Sequence, residues 1–168
     1  MNITHRNYPL KFRLATAKSD LPAIVELARS AHEESRFSYM EFSADKVQKI
    51  ALAAFADQKR HAVMLAERGP TPVGFLYCSV GEYHIATGSL ITTIHNMNVL
   101  HSVRNSLAGG RAALGLLKGV ETWSKARGAK EIFFHVTSGV DLARAHKLAK
   151  RTGFQFVGGS YARNLDAK

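Results

Sequence analysis

The sequence predicts an α+β fold, with helices packed on a mostly antiparallel sheet. Three observations carry this expectation. Helical spacing of apolar residues fills two early segments, residues 20–36 and 43–55. From residue 61 the apolar period drops to two, and several strands follow without an intervening helix. Then a glycine-bearing turn, a long helix, a strand and a basic helix close the order. Strand, two helices, three strands, helix, strand, helix and two strands describe one domain around a mostly antiparallel sheet. Residues 1–10 precede the first element as an N-terminal arm.

Each element has a local reason. Lys11–Thr16 reads as a short strand. Ser19-Asp20 supplies a helix cap, with Pro22 in the first turn. Ile24, Val25, Leu27, Ala28 and Ala31 form the apolar face of that helix. Ser43 opens a second helix, in which Val47, Ile50, Ala51, Ala54 and Phe55 recur at i, i+3, i+4, i+7 and i+8. His61–Glu67 and Pro72–Val80 alternate as strands around the turn Arg68-Gly-Pro-Thr-Pro72, and residues 81–85 continue or bend the second. Ser89–Val103 is β-rich and long enough to expect a bulge. The next helix places Leu114, Leu117, Val120 and Trp123 on one side and stops at Ala126-Arg-Gly128. Glu131–Thr137 reads as a buried strand and Asp141–Thr152 as the last helix. Phe154–Val157 and Tyr161–Leu165 are expected to close as a hairpin around Gly158-Gly159.

Composition narrows the function. With 46% hydrophobic and 21% charged residues in 168, the chain is suited to a packed core rather than to disorder. No apolar run reaches the roughly 18 residues of a spanning helix, and the N-terminus lacks an apolar signal core. The expected location is cytoplasmic, which the lone Cys78 suits, since it cannot form an internal disulfide. Charge is uneven. Residues 1–100 carry 11 Lys+Arg against 9 Asp+Glu, whereas residues 101–168 carry 12 against 4. The basic half would draw in an anionic partner, whether a phosphorylated cofactor, a nucleic acid or an acidic surface.

Val103–Ala113 is the segment richest in chemistry. A strand feeding a glycine turn that opens a helix leaves backbone N–H groups and a positive helix end aimed at one spot, a seat for phosphate. The ordinary reading of the same residues is a flexible strand–helix turn. No Walker-type loop, no Gly-x-Gly-x-x-Gly pattern and no metal-ligand spacing is present; His32-Glu-Glu lacks a second His four residues on.

Taken in order, these residues resemble the GCN5-related N-acetyltransferases over roughly residues 11–165. Val73-Gly-Phe-Leu76 is similar to that family's central strand, Val103–Ala113 with Leu116-Leu117 to its cofactor loop, and Trp123–Ile132 to the helix end and strand that follow. Leu148, Gly153-Phe154 and Tyr161 match its last helix and hairpin. The resemblance implies α/β/α layers around a splayed sheet, with acetyl-CoA as acyl donor and an amine as acceptor. Its pantetheine arm would lie between the fourth and fifth strands, held by backbone groups of His101 and Val103. Its pyrophosphate would lie on Ala108, Gly109, Gly110, Arg111, Ala112 and Ala113. Dimers are common in that family.

Three positions depart from it. The family loop reads Arg-x-x-Gly-x-Gly/Ala, and the matched positions begin at Ala108 and carry Arg111 for the central Gly. Ala149 stands where many relatives have a Tyr as general acid, and His95 and Asn96 stand where many have a Glu on the fourth strand. The catalytic candidates are therefore His95 as base, on the acceptor side, and His146, one helical turn before Ala149. Each has an ordinary reading too: His95 as a polar strand residue, His146 as part of a basic face formed with Arg144, Lys147, Lys150 and Arg151. Glu82 and His84 could reach an acceptor amine or serve as loop residues, Tyr161 suits packing, and Cys78 suits the core. The expected activity is direct transfer of acetyl to a primary amine in a ternary complex. The alternative is an inactive fold of the same kind that binds nucleic acid or protein through its basic half. The charge also suits an acceptor linked to a nucleic acid.

Overall fold

A computed structural model describes residues 8–163 and 165. Five strands form one sheet in sequential order: β1 (Leu10–Ala15), β2 (His61–Arg68), β3 (Thr71–Glu82), β4 (Leu90–Val99) and β5 (Ala129–Phe134). Neighbours pair antiparallel except β4 and β5, which are parallel. Helices α1 (Leu21–Glu34) and α2 (Ala44–Ala56) cover one face. The four-residue α3 (His101–Arg104) leads into α4 (Leu107–Lys125), which covers the other, and α5 (Leu142–Arg151) follows β5.

Alternation along β2 explains the two layers. Val63 and Leu65 join Ala15, Ile24, Leu27, Ala51 and Ala54 in one core. Ala62, Met64 and Ala66 join Leu116, Leu117, Val120 and Trp123 in the other. Because both faces are covered, all five of these β2 residues are buried. Outside the core, Arg13 bridges Asp20 at 2.7 Å and Glu67 at 2.8 Å, fastening β1 to the turn before α1. Asp20 precedes α1, yet its carboxylate accepts from the N–H groups of Thr16 and Ala17 rather than capping the helix. Ser43 does cap α2, accepting from the Lys46 N–H.

The sheet ends sooner than the sequence suggests. β4 stops at Val99, so His101 and Val103 belong to a helical turn and not to a strand. The reason is local bonding: the Val103 and Arg104 N–H groups both turn back to the Leu100 carbonyl. The glycine segment is likewise helical. Ser106 caps α4, and residues 108–113 occupy its first two turns. Leu114 is exposed, and Leu116 takes the core position beside Leu117.

β5 stops at Phe134 and is only half-buried, because it has one partner and an open outer edge among the described residues. The expected closing hairpin is not formed among the described residues. Residues 154–163 make no strand pairing, and Phe156, Val157 and Tyr161 are exposed at 75%, 81% and 101%. Apolar alternation alone does not make a strand where no face is buried, and Gly158-Gly159 adds backbone freedom between the two halves. Of the N-terminal arm, residues 1–7 lie outside the described residues, as do 164 and 166–168 of the tail.

Candidate functional site: a cleft where the sheet splays

The site is made by a failure of pairing. β4 and β5 pair from Leu90/Ala129 to Ile94/Phe134, and no further. Beyond Ile94, β4 pairs only with β3. The register of that pair jumps: Asn96 faces Tyr77 while Ile94 faces Cys78, which leaves His95 as the extra residue of a bulge. A bulge bends a strand and re-aims one side chain. Here it turns β4 away from β5 and opens a cleft of about 560 Å³. The stretch of β4 without a β5 partner, from His95 to Asn98, spans roughly 10 Å at 3.3 Å per residue.

At the far end of that edge lies the start of α4. Ser106 Oγ accepts from the Gly109 N–H, and the Gly110 N–H reaches the Ser106 carbonyl. The Leu107 and Ala108 N–H groups have no protein partner among the described residues, as the first turn of a helix requires. The two adjacent glycines differ sharply. A Cβ on Gly109 would overlap the Val103 carbonyl oxygen, so only glycine lets α4 start this close to α3. A Cβ on Gly110 would meet nothing within 4 Å, because Gly110 faces the cleft.

Arg104 holds this corner together. Its guanidinium donates to the Val99 carbonyl at 2.8 Å and to Asn98 Oδ1 at 2.9 Å, and it pairs with Glu34 at 2.6 Å. It thus ties the end of β4 to the end of α1. On the opposite wall Arg144 donates to Asn105 Oδ1 at 2.6 Å. Asp141, at φ +40°, accepts from the Arg144 N–H and caps α5. A bond from the Arg36 N–H to the Ser138 carbonyl, at 2.7 Å, joins the segment after α1 to the loop after β5.

The other end of the open edge is rich in histidine. His95 Nε2 lies 2.7 Å from Ser79 Oγ, and its ring stacks on Tyr77 at 5.2 Å. The Tyr77 hydroxyl lies 3.3 Å from His61 Nδ1. His95 is exposed and lines the cleft. Partial desolvation of the ring, then repulsion from His135 and His61, lowers its pKa below the ordinary histidine value. Burial likewise raises the Tyr77 hydroxyl. Cys78 is fully buried and pushed up to about 12, so it is no nucleophile.

The residues singled out from the sequence are divided by this geometry. His95, Gly109, Gly110 and Ala113 line the cleft. Ala108 lies at the free end of α4, whereas Arg111 and Ala112 face elsewhere, Ala112 into the core. His101 is exposed outside the cleft lining, and the Val103 N–H and carbonyl are both engaged within the chain. His146 lies on another face of α5, edge-on to Phe156. Of the basic stripe, Arg144, Lys147 and Arg151 reach the cleft and Lys150 does not. Glu82 accepts from the Gly88 N–H, away from the cleft. Sequence reasoning missed Arg104, Ser79 and His135. The signal for Arg104 was present, because Arg104-Asn-Ser-Leu-Ala-Gly109 has the Arg-x-x-Gly-x-Gly spacing at the true helix start, with Leu107 at the central position.

No family model matches this chain, and neither does any curated protein. Solved structures do match. Aminoglycoside N-acetyltransferase AAC(6')-Iy in complex with CoA superposes with a TM-score of 0.72 at 16% identity, covering 98% of this chain and 100% of that one. A "predicted acetyltransferase" from Clostridium acetobutylicum with acetyl-CoA gives 0.68 at 16%, covering 94% and 97%. Ribosomal-protein-alanine N-acetyltransferase from Brucella melitensis gives 0.67 at 13%, covering 94% and 99%. With its sheet splayed between β4 and β5 and a helix N-terminus at the mouth of the gap, the chain has the fold of the GCN5-related N-acetyltransferases.

Proposed function

We propose that this protein is an acetyl-CoA-dependent N-acetyltransferase. The observation that carries the reading is that β4, left without a β5 partner beyond Ile94, and the first turn of α4 at Ser106, Gly109 and Gly110 line one cleft. An extended, amide-bearing chain can bond to such an edge, since unpaired backbone groups need partners. A pyrophosphate suits the Leu107 and Ala108 N–H groups, the positive end of a 19-residue helix and the nearby Arg144. The open space at Gly110 leaves room for it.

When bound, acetyl-CoA supplies an activated acetyl thioester: the amine nitrogen bonds to its carbonyl carbon as the C–S bond breaks. The chain's own part is positioning and proton removal. In the tautomer with the proton on His95 Nε2, Ser79 Oγ accepts it across their 2.7 Å separation, and the Nδ1 lone pair takes a proton from the amine. The lowered pKa keeps that lone pair available near neutral pH. Backbone N–H groups of β4 polarise the carbonyl. Ala149 donates no proton to the departing sulfur. A thiol of ordinary acidity, with a pKa of about 8.5, takes its proton from water instead. Transfer is direct, since the buried Cys78 cannot carry an acyl group.

Calorimetry with acetyl-CoA tests the reading. Wild type binds, and Gly110→Trp, whose side chain enters the cleft, stays folded and does not. Absence of binding by folded wild type at millimolar acetyl-CoA overturns the proposal.

A further inference from the structure

The charges inside the cleft restrict what can be acetylated. Its lining holds Arg104, Arg144, Lys147 and Arg151 against one carboxylate, Asp141. That carboxylate is committed, since it caps α5 through the Arg144 N–H and lies 3.7 Å from the Arg144 guanidinium. Glu34 is committed to Arg104. Phosphates of acetyl-CoA would offset the cations near α4, but they add no negative charge beside His95. The rest of the lining includes His95, His135, His32, Phe37, Ser35 and Ser138, with Tyr77 stacked on His95. A second ammonium on the acceptor would be repelled by these cations and would need a free carboxylate to offset them. Apart from Asp141, the cleft lining offers none among the described residues.

We infer that the acceptor is a monoamine on an uncharged, partly apolar body, whose only positive charge is the amine that reacts. The inference rests on the acetyltransferase reading and goes beyond it. It separates this chain from the fold neighbours named for aminoglycosides, which carry several ammonium groups. The aromatic rings of Phe37 and the histidines give such a body a surface to stack on.

The test compares two amines, 2-phenylethylamine and spermine, as acceptors with wild type at saturating acetyl-CoA, across a salt series. Acetyl-CoA binding is measured separately by calorimetry. The expected result is a kcat/KM at least 10-fold higher for phenylethylamine. Any spermine KM should fall as salt rises, because screening relieves repulsion. Preference for spermine, or a spermine KM that rises with salt, overturns the inference and leaves the acetyltransferase reading intact. Acetyl-CoA binding with neither amine acetylated overturns the inference and counts against catalysis as well. Failure of acetyl-CoA itself to bind removes the underlying reading instead.

Discussion

At the residue scale, His95 depends on four neighbours. Ser79 fixes one ring nitrogen, Tyr77 fixes the plane, and His135 and His61 push against its protonated form. The sign follows from the causes. Partial desolvation and two histidines lower the pKa, so activity should persist below the ordinary histidine value of about 6.5 and fall only as pH drops further. His135→Asn removes one repulsion, raises the His95 pKa and moves the acid limb of kcat/KM to higher pH. The plateau near pH 8 should stay unchanged. His95→Gln should lower that plateau by about 100-fold or more, with acetyl-CoA affinity retained in calorimetry. A limb that does not move in His135→Asn separates His95 from the titrating group. The same lowered pKa links to stability. His95 resists protonation in the folded state, so its contribution is present above about 6.5 and declines as pH falls.

At the scale of elements, α4 shows why two glycines in sequence are not equivalent. Gly109 is a packing requirement, since its missing Cβ admits the Val103 carbonyl. Gly110 is exposed to the cleft and pays the entropy of a glycine within a helix. Gly109→Ala should therefore cost about 1–3 kcal/mol by overpacking. Gly110→Ala should gain up to about 1 kcal/mol from helix propensity. Urea unfolding of the two variants checks both signs, and equal effects would remove the distinction. The short α3 matters for the same reason. It ends β4, positions Arg104, and delivers the chain to Ser106, whose side chain starts α4.

Across the whole molecule, two layers of helix bury a strongly apolar β2 and β3, while the sheet opens at one end. A ligand that bridges β4, α4 and α5 adds contacts between elements that otherwise meet at the cleft. Binding only to the folded state at 100 times Kd should raise stability by about 2.7 kcal/mol. That corresponds to roughly 5–10 °C in melting temperature for a chain of this length. A thermal melt with acetyl-CoA reads this directly, and an unchanged melt at saturation contradicts a bridging site. The described residues include no helix long and apolar enough to cross a membrane.

The order of elements from β1 to α5, the short α3 apart, was legible in the sequence, because their hydrophobic periods are local. The alternation in β2 and β3 and the helical spacing in α1, α2 and α4 each identify an element without reference to the rest. The sequence also determined that the basic charge and the glycine segment share one half of the chain. Its resemblance to the acetyltransferases agreed with the observed fold. Tertiary structure decided where elements stop and which side chains meet. Val103 looked like strand because its residue type favours strand, but carbonyl bonding to Leu100 made it helical. The last hairpin had the right alternation and gained no surface to bury. His146 and His95 were equal candidates in one dimension. A one-residue bulge turned His95 into the cleft, and the phase of α5 turned His146 toward Phe156. Ser79 and His135 carry no local signal for a role beside His95. Their places follow from strand register and from the splay of β5, which are set between segments far apart in the chain.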